Sequence, residues 1–539
     1  MSASSNESAT TKTSAANTPG LGRSWLASSV GIFASRISGL ARDVTAAWYW
    51  GATGICQAAY SVAFAVPNSL RQLFSEGAFT SAFVPMLSER LATERREEAW
   101  QLANRAISVQ ALAVTAVAAF FAACSCGLYF SGRFAQNETT QLTFYILPLL
   151  MPFAVLICSA GAFSAVLNSL KSFLLPAAVQ IVFNLVQVGS IFFLAWAGLH
   201  NDDLRALYLF CGATLLGGAL ELIILAVAAR GRGYRFHFKP DWRAPEVKEL
   251  CLRILPGVIG AGVMQINSLI DKCFSLYLGS AAIGGLNYSH RLVYLPIGIF
   301  AVAMGNAALP ALSRAQAKGD HDAVATSFTY AMRTILFFAL PCTFFLAASG
   351  REVIGLLFAR GAFNAGAIYE THWALLFYLV GMPAFCLAKI VTTPFHARKD
   401  TKTPMLVSVG CLLFNIVLNA LLMKPLRQGG LALATSICSW LNILILLLLN
   451  RRHMPRWSCW VLIHEALPLF ELAVIAAIAT NFAMGYLPAM LPPWSIFFSR
   501  LVNVVLALFV TCVIYLGGCL LLRRPELRDL MAIFHRRQR

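Results

Sequence analysis

The segment "ASRISGLARD", residues 34–43, places Arg36, Arg42 and Asp43 inside an otherwise apolar run at 24–50. About 20 apolar residues are enough to cross the hydrocarbon core of a bilayer. A charge at the centre of that core costs about 2.5–3.5 kcal/mol on insertion scales, so such side chains face protein or water. The segment therefore predicts a membrane helix that lines a polar interior.

The rest of the chain repeats this apolar pattern. Its 539 residues are 58% hydrophobic and only 12% charged, whereas soluble domains carry about 25% charged residues. The sequence predicts an all-α polytopic membrane protein with about fourteen transmembrane helices. The predicted spans lie at 24–50, 57–88, 104–130, 141–168, 173–198, 204–229, 247–278, 283–312, 325–349, 367–396, 404–423, 429–450, 462–486 and 494–522.

The connections between these spans alternate in charge. Those after even-numbered spans are basic, as in "SERLATERREEAW" and "RGRGYRFHFKPDWRAPEVK", whereas those after odd-numbered spans, such as "LGSAAIGGLN", are nearly free of Lys and Arg. Because basic loops stay on the cytoplasmic side, both termini are predicted to be cytoplasmic. The net charge of +18 is then mostly a topology signal, with some attraction to membrane lipids, and no nucleic acid partner is expected.

The N-terminal residues and the cysteines exclude two other classes. Residues 1–23 are rich in Ser, Thr and Ala and have no apolar core of their own, so they are predicted as a disordered cytoplasmic tail and not as a cleaved signal. The 14 cysteines are scattered singly, apart from Cys124 and Cys126, and show no metal-site spacing. We interpret them as small apolar side chains.

A faint internal repeat divides the chain. "EGAFTSAFVPMLSER" (76–90) ends the second span and "VAMGNAALPALSRA" (302–315) ends the eighth. An offset of six spans keeps the orientation, so we predict two six-helix lobes related by a pseudo-two-fold axis along the membrane normal, plus two C-terminal helices. The predicted parts are a tail at 1–23, an N-terminal lobe at 24–230, a basic cytoplasmic linker at 231–246, a C-terminal lobe at 247–450, two extra helices at 451–522 and a basic cytoplasmic tail at 523–539.

Charges inside the predicted spans are the candidate functional residues. The clearest are Arg36, Arg42, Asp43, Arg71, Glu76, Asp271, Lys272, Arg291 and Lys389. One interpretation is internal ion pairing, such as Arg42 with Glu76 or Arg36 with Asp271. The first, second and eighth spans nevertheless carry more arginines than carboxylates. Guanidinium groups in excess suit bidentate binding of phosphate or carboxylate, so we favour an anion site.

Glycine and proline near these charges predict mobility. Gly39 lies between Arg36 and Asp43, and prolines interrupt the second, seventh and eighth spans. Such breaks are tolerated where the freed backbone lines a cavity. They could serve as hinges or merely relieve packing. No catalytic motif is found: "HEAL" (464–467) lacks the second His of a zinc protease, and we do not expect an enzyme, although a lipid-modifying enzyme stays open.

Four segments resemble the MurJ (MviN) lipid II flippase family of bacteria: "SRISGLARD", "VPNSLRQLFSEGAFTSAFVPMLSE", "RLVYLPIGIFAVAMGNAALPALS" and "ARKDTKTP". The resemblance runs in order from about residue 24 to 522. It implies transfer of lipid II, the undecaprenyl-diphosphate-linked peptidoglycan precursor, from the inner to the outer leaflet of the bacterial cytoplasmic membrane. It also implies that 462–522 hold the lipid tail in a groove. Other cell-wall synthesis proteins would be possible partners.

The resemblance also implies roles for single residues. The family's cavity arginines fall on Arg36, Arg42, Arg71 and Arg291, and its acidic position on Glu76, as substrate-binding residues. Apart from the resemblance, the position of Gly39 and Asp43 within the first span predicts a role in gating.

The chain departs from the family at several positions. Ala58, beside Gln57, stands where many members have an acid, and Gln72 where relatives often have a second arginine. Ser289 and His290 replace the common Ala-Asp before Arg291. His290 could act as a titrating gate, although we favour a neutral, hydrogen-bonded imidazole.

Some members of the family resemble sodium-coupled transporters. Asp271, Asn415, Asn419 and Thr435 fit the positions of that site, and oxygen ligands suit a hard cation. Interhelical hydrogen bonding is the alternative that we favour from sequence alone. Beyond Na⁺ or the membrane potential as driving force, no cofactor is expected.

Three other functions stay open. A flippase for another polyprenyl-diphosphate-linked oligosaccharide would use the same cavity chemistry. A drug–cation exporter would need acids and aromatic residues where this chain has arginines. A lipid II polymerase would need a large outer loop that the sequence lacks.

Overall fold

The protein is described by a computed structural model over residues 19–134, 136–451, 454, 457–486 and 496–528. The regular structure of this part of the chain is helical and contains no strand, so the predicted all-α class is confirmed. Two π-helices interrupt it at Gln72–Gly77 and Ile297–Ala301. The α-helices are α1 Pro19–Trp50, α2 Ile55–Arg71, α3 Ala78–Ala92, α4 Arg96–Phe130, α5 Glu138–Ser169, α6 Leu174–Ala178, α7 Gln180–Trp196, α8 Leu204–Gly231, α9 Pro245–Leu278, α10 Ser280–Pro296, α11 Val302–Ala317, α12 His321–Phe358, α13 Ala365–Ala397, α14 Lys402–Leu426, α15 Gln428–Arg451, α16 Cys459–Tyr486 and α17 Ile496–Leu521.

The helices identify a multi-pass membrane protein. Within the described residues, ten are long and apolar enough to cross a membrane, or up to eleven if the two parts of α9, bent by 47° at Pro256, form one span. The first, second and eighth predicted spans do not meet this criterion. The first carries three charges, and the other two are each broken by a π-helix. The predicted stretches are helical where described, apart from an interruption at Val179 and one or two residues at their ends, but the count of fourteen crossings is not established.

Helix packing repeats between the two halves of the chain. In the first half α5 packs against α2, α4 and α8, while α7 packs against α1 and α8. In the second half α13 packs against α10, α12 and α15, while α14 packs against α9 and α15. The two halves therefore form two lobes whose helices pack in the same arrangement, as the internal repeat predicts.

Ion pairs at both ends attach the last two helices to α12. At one end Arg333 of α12 contacts Glu465 of α16 at 2.9 Å and Glu526 at 2.8 Å, and Arg524 contacts the same two carboxylates. At the other end Arg500 of α17 lies 4.0 Å from the carboxylate of Glu352 and donates to the Gly355 carbonyl at 3.2 Å. The α16–α17 pair is thus fixed to the second lobe.

The π-helices occur close to prolines at equivalent places in the two lobes. Pro67 precedes the first π-helix by about one turn, and Pro296 directly precedes the second. Gln110 of α4 donates to the Phe74 carbonyl at 2.6 Å, which satisfies backbone inside the first π-helix. Such single-turn π-helices are often found at functional sites. Here they follow Arg71 and Arg291, two of the predicted cavity arginines.

The lobes meet closely at the helix ends opposite the basic loops. The Ala362 amide donates to the Trp48 carbonyl at 2.9 Å, and the Ser280 hydroxyl donates to the Thr53 carbonyl at 2.6 Å. A Cβ on Gly284 would overlap the backbone of Ala52, so only glycine permits this approach. These contacts close the predicted outer side.

Candidate functional site

The charges of "ASRISGLARD" join the two lobes. Asp43 of α1 is 7% exposed and accepts from Arg42 at 3.0 Å on one carboxylate oxygen. Its other oxygen forms an ion pair with Arg291 of α10. One carboxylate in the first lobe therefore holds an arginine from each lobe. Half of the Arg291 side chain remains exposed, so this guanidinium is accessible to a ligand.

Arg42 is also tied to its own lobe. It donates to Oδ1 of Asn184 on α7 at 3.2 Å, and Asn184 donates to the Ser38 hydroxyl at 2.9 Å. Gly39 faces Asn184 at an ordinary distance, with 3.8 Å between a Cβ built there and Nδ2. A methyl group would fit, so space for Asn184 does not by itself require glycine at position 39.

Arg36 and Arg71 lie beside the π-helices. Arg36 is exposed, and its guanidinium reaches the second π-helix at Gly298. Arg71 ends α2 and donates to Asn68 at 3.1 Å. No Arg36–Asp271 ion pair occurs among the described side chains; Asp271 has other partners. The side chain of Glu76 lies outside the described residues, so its predicted role remains a prediction.

Four guanidinium groups and one described carboxylate thus belong to the first, second and eighth spans. Arg42, Asp43 and Arg291 form one cluster, whereas Arg36 and Arg71 occupy separate positions along the same spans. Guanidinium groups from separate helices can bind a phosphate bidentately. The excess of positive charge suits an anion.

The four predicted sodium ligands come together in the second lobe. Asp271 of α9 accepts from Asn419 at 2.7 Å and from Thr435 at 3.3 Å, and Asn419 donates to Asn415 at 2.8 Å. Oδ1 of Asn419 is buried and has no partner among the described residues. All four side chains carry an oxygen, and rotation of the Asn419 amide would turn its carbonyl oxygen, in place of Nδ2, towards the other three. This set fits a hard cation, although it contains a single carboxylate.

Lys272, the next residue on α9, points to the other lobe. Its ammonium contacts Oδ1 of Asn287 on α10, and Asn287 donates to the Ser61 hydroxyl on α2 at 2.9 Å. Asp271 therefore belongs to the polar cluster of the second lobe, whereas its neighbour Lys272 is linked through Asn287 to Ser61 of the first lobe. The sequence marked Lys272 as an embedded charge, but nothing in it pointed to Asn287 or Ser61.

His290 lies among aromatic rings. Its exposed ring stacks on Tyr294 with 4.0 Å between centroids, and Tyr378 lies edge-on at 5.9 Å. This arrangement holds the imidazole next to Arg291. The predicted gating role stays a prediction.

The position where many family members have an acid is apolar in this chain. Ala58 is 1% exposed and packs in a small cluster with Val62, Leu276 and Ile283, which come from both lobes. Apolar packing between α2, α9 and α10 thus surrounds the position at which many family members carry an acidic side chain. A carboxylate at position 58 would be buried in this cluster.

Comparison with known proteins gives concordant matches. The sequence model of the family described as "Lipid II flippase MurJ" matches residues 47–521. A "Probable lipid II flippase MurJ" of Rhizobium tropici is 30% identical over 82% of this chain and 84% of its own length. A "Lipid II flippase MurJ" of Burkholderia cenocepacia is 28% identical over 77% of this chain and 80% of its own length.

Two solved structures have a similar fold. One, described as "Lipid II flippase MurJ, inward closed conformation", matches with a TM-score of 0.70 at 23% identity, covering 92% of this chain and 99% of that one. An inward-facing multidrug resistance MATE family transporter of the MOP superfamily matches with a TM-score of 0.63 at 13% identity, over 78% of this chain and 95% of that one. At these identities the likeness concerns the fold.

Proposed function

The chain belongs to the lipid II flippase MurJ family, and from this we propose that it moves lipid II from the inner to the outer leaflet of the bacterial cytoplasmic membrane. The basic loops and both termini would lie in the cytoplasm. The observation that supports a flippase most directly is that Arg42 of the first lobe and Arg291 of the second both form ion pairs with the carboxylate of Asp43. The protein would act as a transporter and not as an enzyme.

The diphosphate of the substrate would bind to Arg36, Arg42, Arg71 and Arg291. An incoming diphosphate competes with Asp43 for Arg291, because both present oxygens to the same guanidinium. Releasing Arg291 from Asp43 would break the ion pair between the lobes. Substrate binding would thereby loosen the contact that holds the lobes together in this structure.

Transport would follow by alternating access. The head group enters from the cytoplasmic side while the outer seal of Trp48, Ala52, Gly284 and Ala362 is closed. The lobes then rock, the seal opens and the head group leaves outward. The lipid tail stays in the bilayer, along the α16–α17 pair that the ion pairs fix to α12.

The membrane potential would assist this step. Two negative charges that move outward across an inside-negative potential of 100 mV gain about 4–5 kcal/mol. Transport that continues unchanged after the potential is collapsed would contradict this part of the proposal.

Sodium would be held by Asp271, Asn415, Asn419 and Thr435. A bound cation would supply a positive charge that neutralises the partly buried carboxylate of Asp271. The ammonium of Lys272 is a second positive charge beside the bound cation. Its contact with Asn287 keeps this ammonium directed away from the cation, towards Ser61 of the first lobe. Occupancy of the cluster would in this way favour the contact between the lobes.

A flippase for another polyprenyl-diphosphate-linked oligosaccharide remains the alternative. The arginines recognise a diphosphate, and nothing in them distinguishes the sugar. Proteins that make or use lipid II would be the partners in the first case, and those of another surface glycan in the second.

Complementation tests the proposal. The chain is expressed in bacteria depleted of their own lipid II flippase, and the cells are treated from outside with a toxin that cleaves lipid II. Release of the cleaved head group by the parent, and its loss in an Arg36→Ala, Arg291→Ala double variant, is expected. A well-inserted parent that releases none would exclude lipid II as the substrate. Equal release by both would remove the arginines from the mechanism.

A further inference from the structure

The segment between the lobes, residues 232–244, is an ordered strap on α4. Tyr234 is 1% exposed, and its ring packs between Trp100 and Phe163 with centroid distances of 5.1 and 6.1 Å. Its hydroxyl donates to Asn104 at 2.9 Å. The aromatic ring thus anchors the beginning of the strap to the first lobe.

Backbone contacts continue this attachment. The His237 amide donates to Asn104 at 3.0 Å, and the Lys239 amide donates to the Ser108 hydroxyl at 2.9 Å. Further on, Ala244 packs against Val109 of α4. The strap therefore follows α4 for more than two turns, and its conformation is set by this helix.

The carboxylates in and next to the strap form ion pairs with α4. Arg105 of α4 lies 3.7 Å from Asp241 in the strap and 3.3 Å from Glu246 at the start of α9, so one arginine pairs with both acids. Four basic side chains point outward: Arg232, Arg235, Lys239 and Arg243. None of them forms an ion pair with a carboxylate in the described part of the chain. The outer face of the strap is accordingly cationic.

Large aromatic side chains alternate with these cations. Phe236, Phe238 and Trp242 are 39, 60 and 52% exposed. The strap leaves the apolar helix α8 at Gly231 and enters α9 at Pro245. In the predicted topology it therefore lies at the cytoplasmic surface of the membrane. Exposed aromatic rings at that level insert among lipid head groups, and Lys and Arg attract anionic ones.

We propose that the outer face of the strap, formed by Arg232, Arg235, Phe236, Phe238, Lys239, Trp242 and Arg243, binds anionic phospholipid head groups of the cytoplasmic leaflet. The charge of the face and its interleaved rings match a phosphate-bearing lipid surface. Because the strap connects the two lobes and is attached to α4 and α5 of the first lobe, a lipid bound there holds the edge of that lobe at a fixed depth. This surface is separate from the arginine cavity and does not depend on the transported substrate.

Tryptophan quenching tests this proposal on the full chain in lipid nanodiscs. The signal of Trp242 is taken as the difference between the parent and a Trp242→Phe variant. Brominated phosphatidylglycerol is expected to quench it at a mole fraction at least several times lower than brominated phosphatidylcholine. Equal quenching by the two lipids would overturn the proposal.

A charge-matched pair of variants separates the strap from general basic charge. Arg232→Gln, Arg235→Gln, Lys239→Gln and Arg243→Gln together should abolish the preference for the anionic lipid, since each basic residue near such a surface contributes about fivefold to binding. The control removes four charges elsewhere on the same side: Arg95→Gln, Arg96→Gln, Arg314→Gln and Lys318→Gln. It should keep the preference. Loss in both variants would show a diffuse effect and overturn the assignment, as would displacement of the lipid by an equimolar polyprenyl diphosphate.

Discussion

The guanidinium of Arg36 lies directly over Gly298: a Cβ built on Gly298 would be 2.7 Å from Nη1 of Arg36. Arg36 belongs to the first helix of one lobe and Gly298 to the π-helix of the other. A comparable contact joins the other π-helix to the other lobe, because Gln265 of α9 donates to Gln72 at 2.8 Å. Each π-helix therefore meets the first helix of the opposite lobe.

Substitution of Gly298 by alanine should displace Arg36. The guanidinium is the mobile end of a long side chain, so we expect it to move at little cost in stability while leaving its place in the cavity. Head-group release in depleted cells should fall severalfold, with an unchanged thermal unfolding midpoint. Gly260→Ala is the control, since nothing lies within 4 Å of a Cβ there. Equal release by the two variants would show that the position of Arg36 is unimportant.

Removal of the Asp43 charge should weaken the contact between the lobes. Asp43→Asn leaves Arg42 and Arg291 facing each other without a carboxylate, at an expected cost of about 1–3 kcal/mol. Arg291→Gln should cost less in the Asp43→Asn background than in the parent, because the two residues interact. Unfolding of the four proteins in detergent measures this difference. Additive effects would mean that the ion pair contributes nothing.

The buried carboxylate of Glu526 should be essential for holding α16 and α17. Its side chain is 1% exposed and pairs with Arg333 and Arg524, so Glu526→Gln leaves these two arginines to share the partly exposed carboxylate of Glu465. We expect a loss of about 3 kcal/mol, read as a lower unfolding midpoint. Glu352→Gln, which breaks a partly exposed pair at 4.0 Å, should cost less than about 1 kcal/mol. Similar small losses in both variants would contradict the buried network.

Sodium should stabilise the chain through Asp271. The unfolding midpoint is expected to rise when potassium is replaced by sodium at constant ionic strength, and Asp271→Asn should remove this rise. Lys272→Met should tighten sodium binding on the order of tenfold, because it removes a like charge beside the site.

Lys389→Met serves as the control for the lysine substitution. Lys389 lies on α13, where its side chain packs over Gly305, away from the polar cluster. Its substitution should leave the sodium midpoint shift unchanged. No midpoint shift in the parent would refute the site, whereas a head-group release rate that is the same in sodium and potassium would refute only the coupling.

The amino-acid sequence by itself determined the class of the protein and where its helices lie along the chain. Hydropathy and loop charge are properties of short segments, and each helix satisfies its backbone hydrogen bonds internally, so the helices could be predicted one at a time. Arg36, Arg42, Asp43 and Arg291 were likewise marked by sequence, because a charge inside an apolar span is costly wherever it lies.

The tertiary structure alone decided which charges meet. Sequence suggested Arg42 with Glu76 or Arg36 with Asp271, whereas the fold places Arg42 and Arg291 on Asp43 and surrounds Asp271 with Asn419 and Thr435. It also decided that Lys272 reaches Ser61 through Asn287. These partners lie on helices far apart in the chain, and the rotation and depth of one helix against another depend on packing that no local pattern encodes.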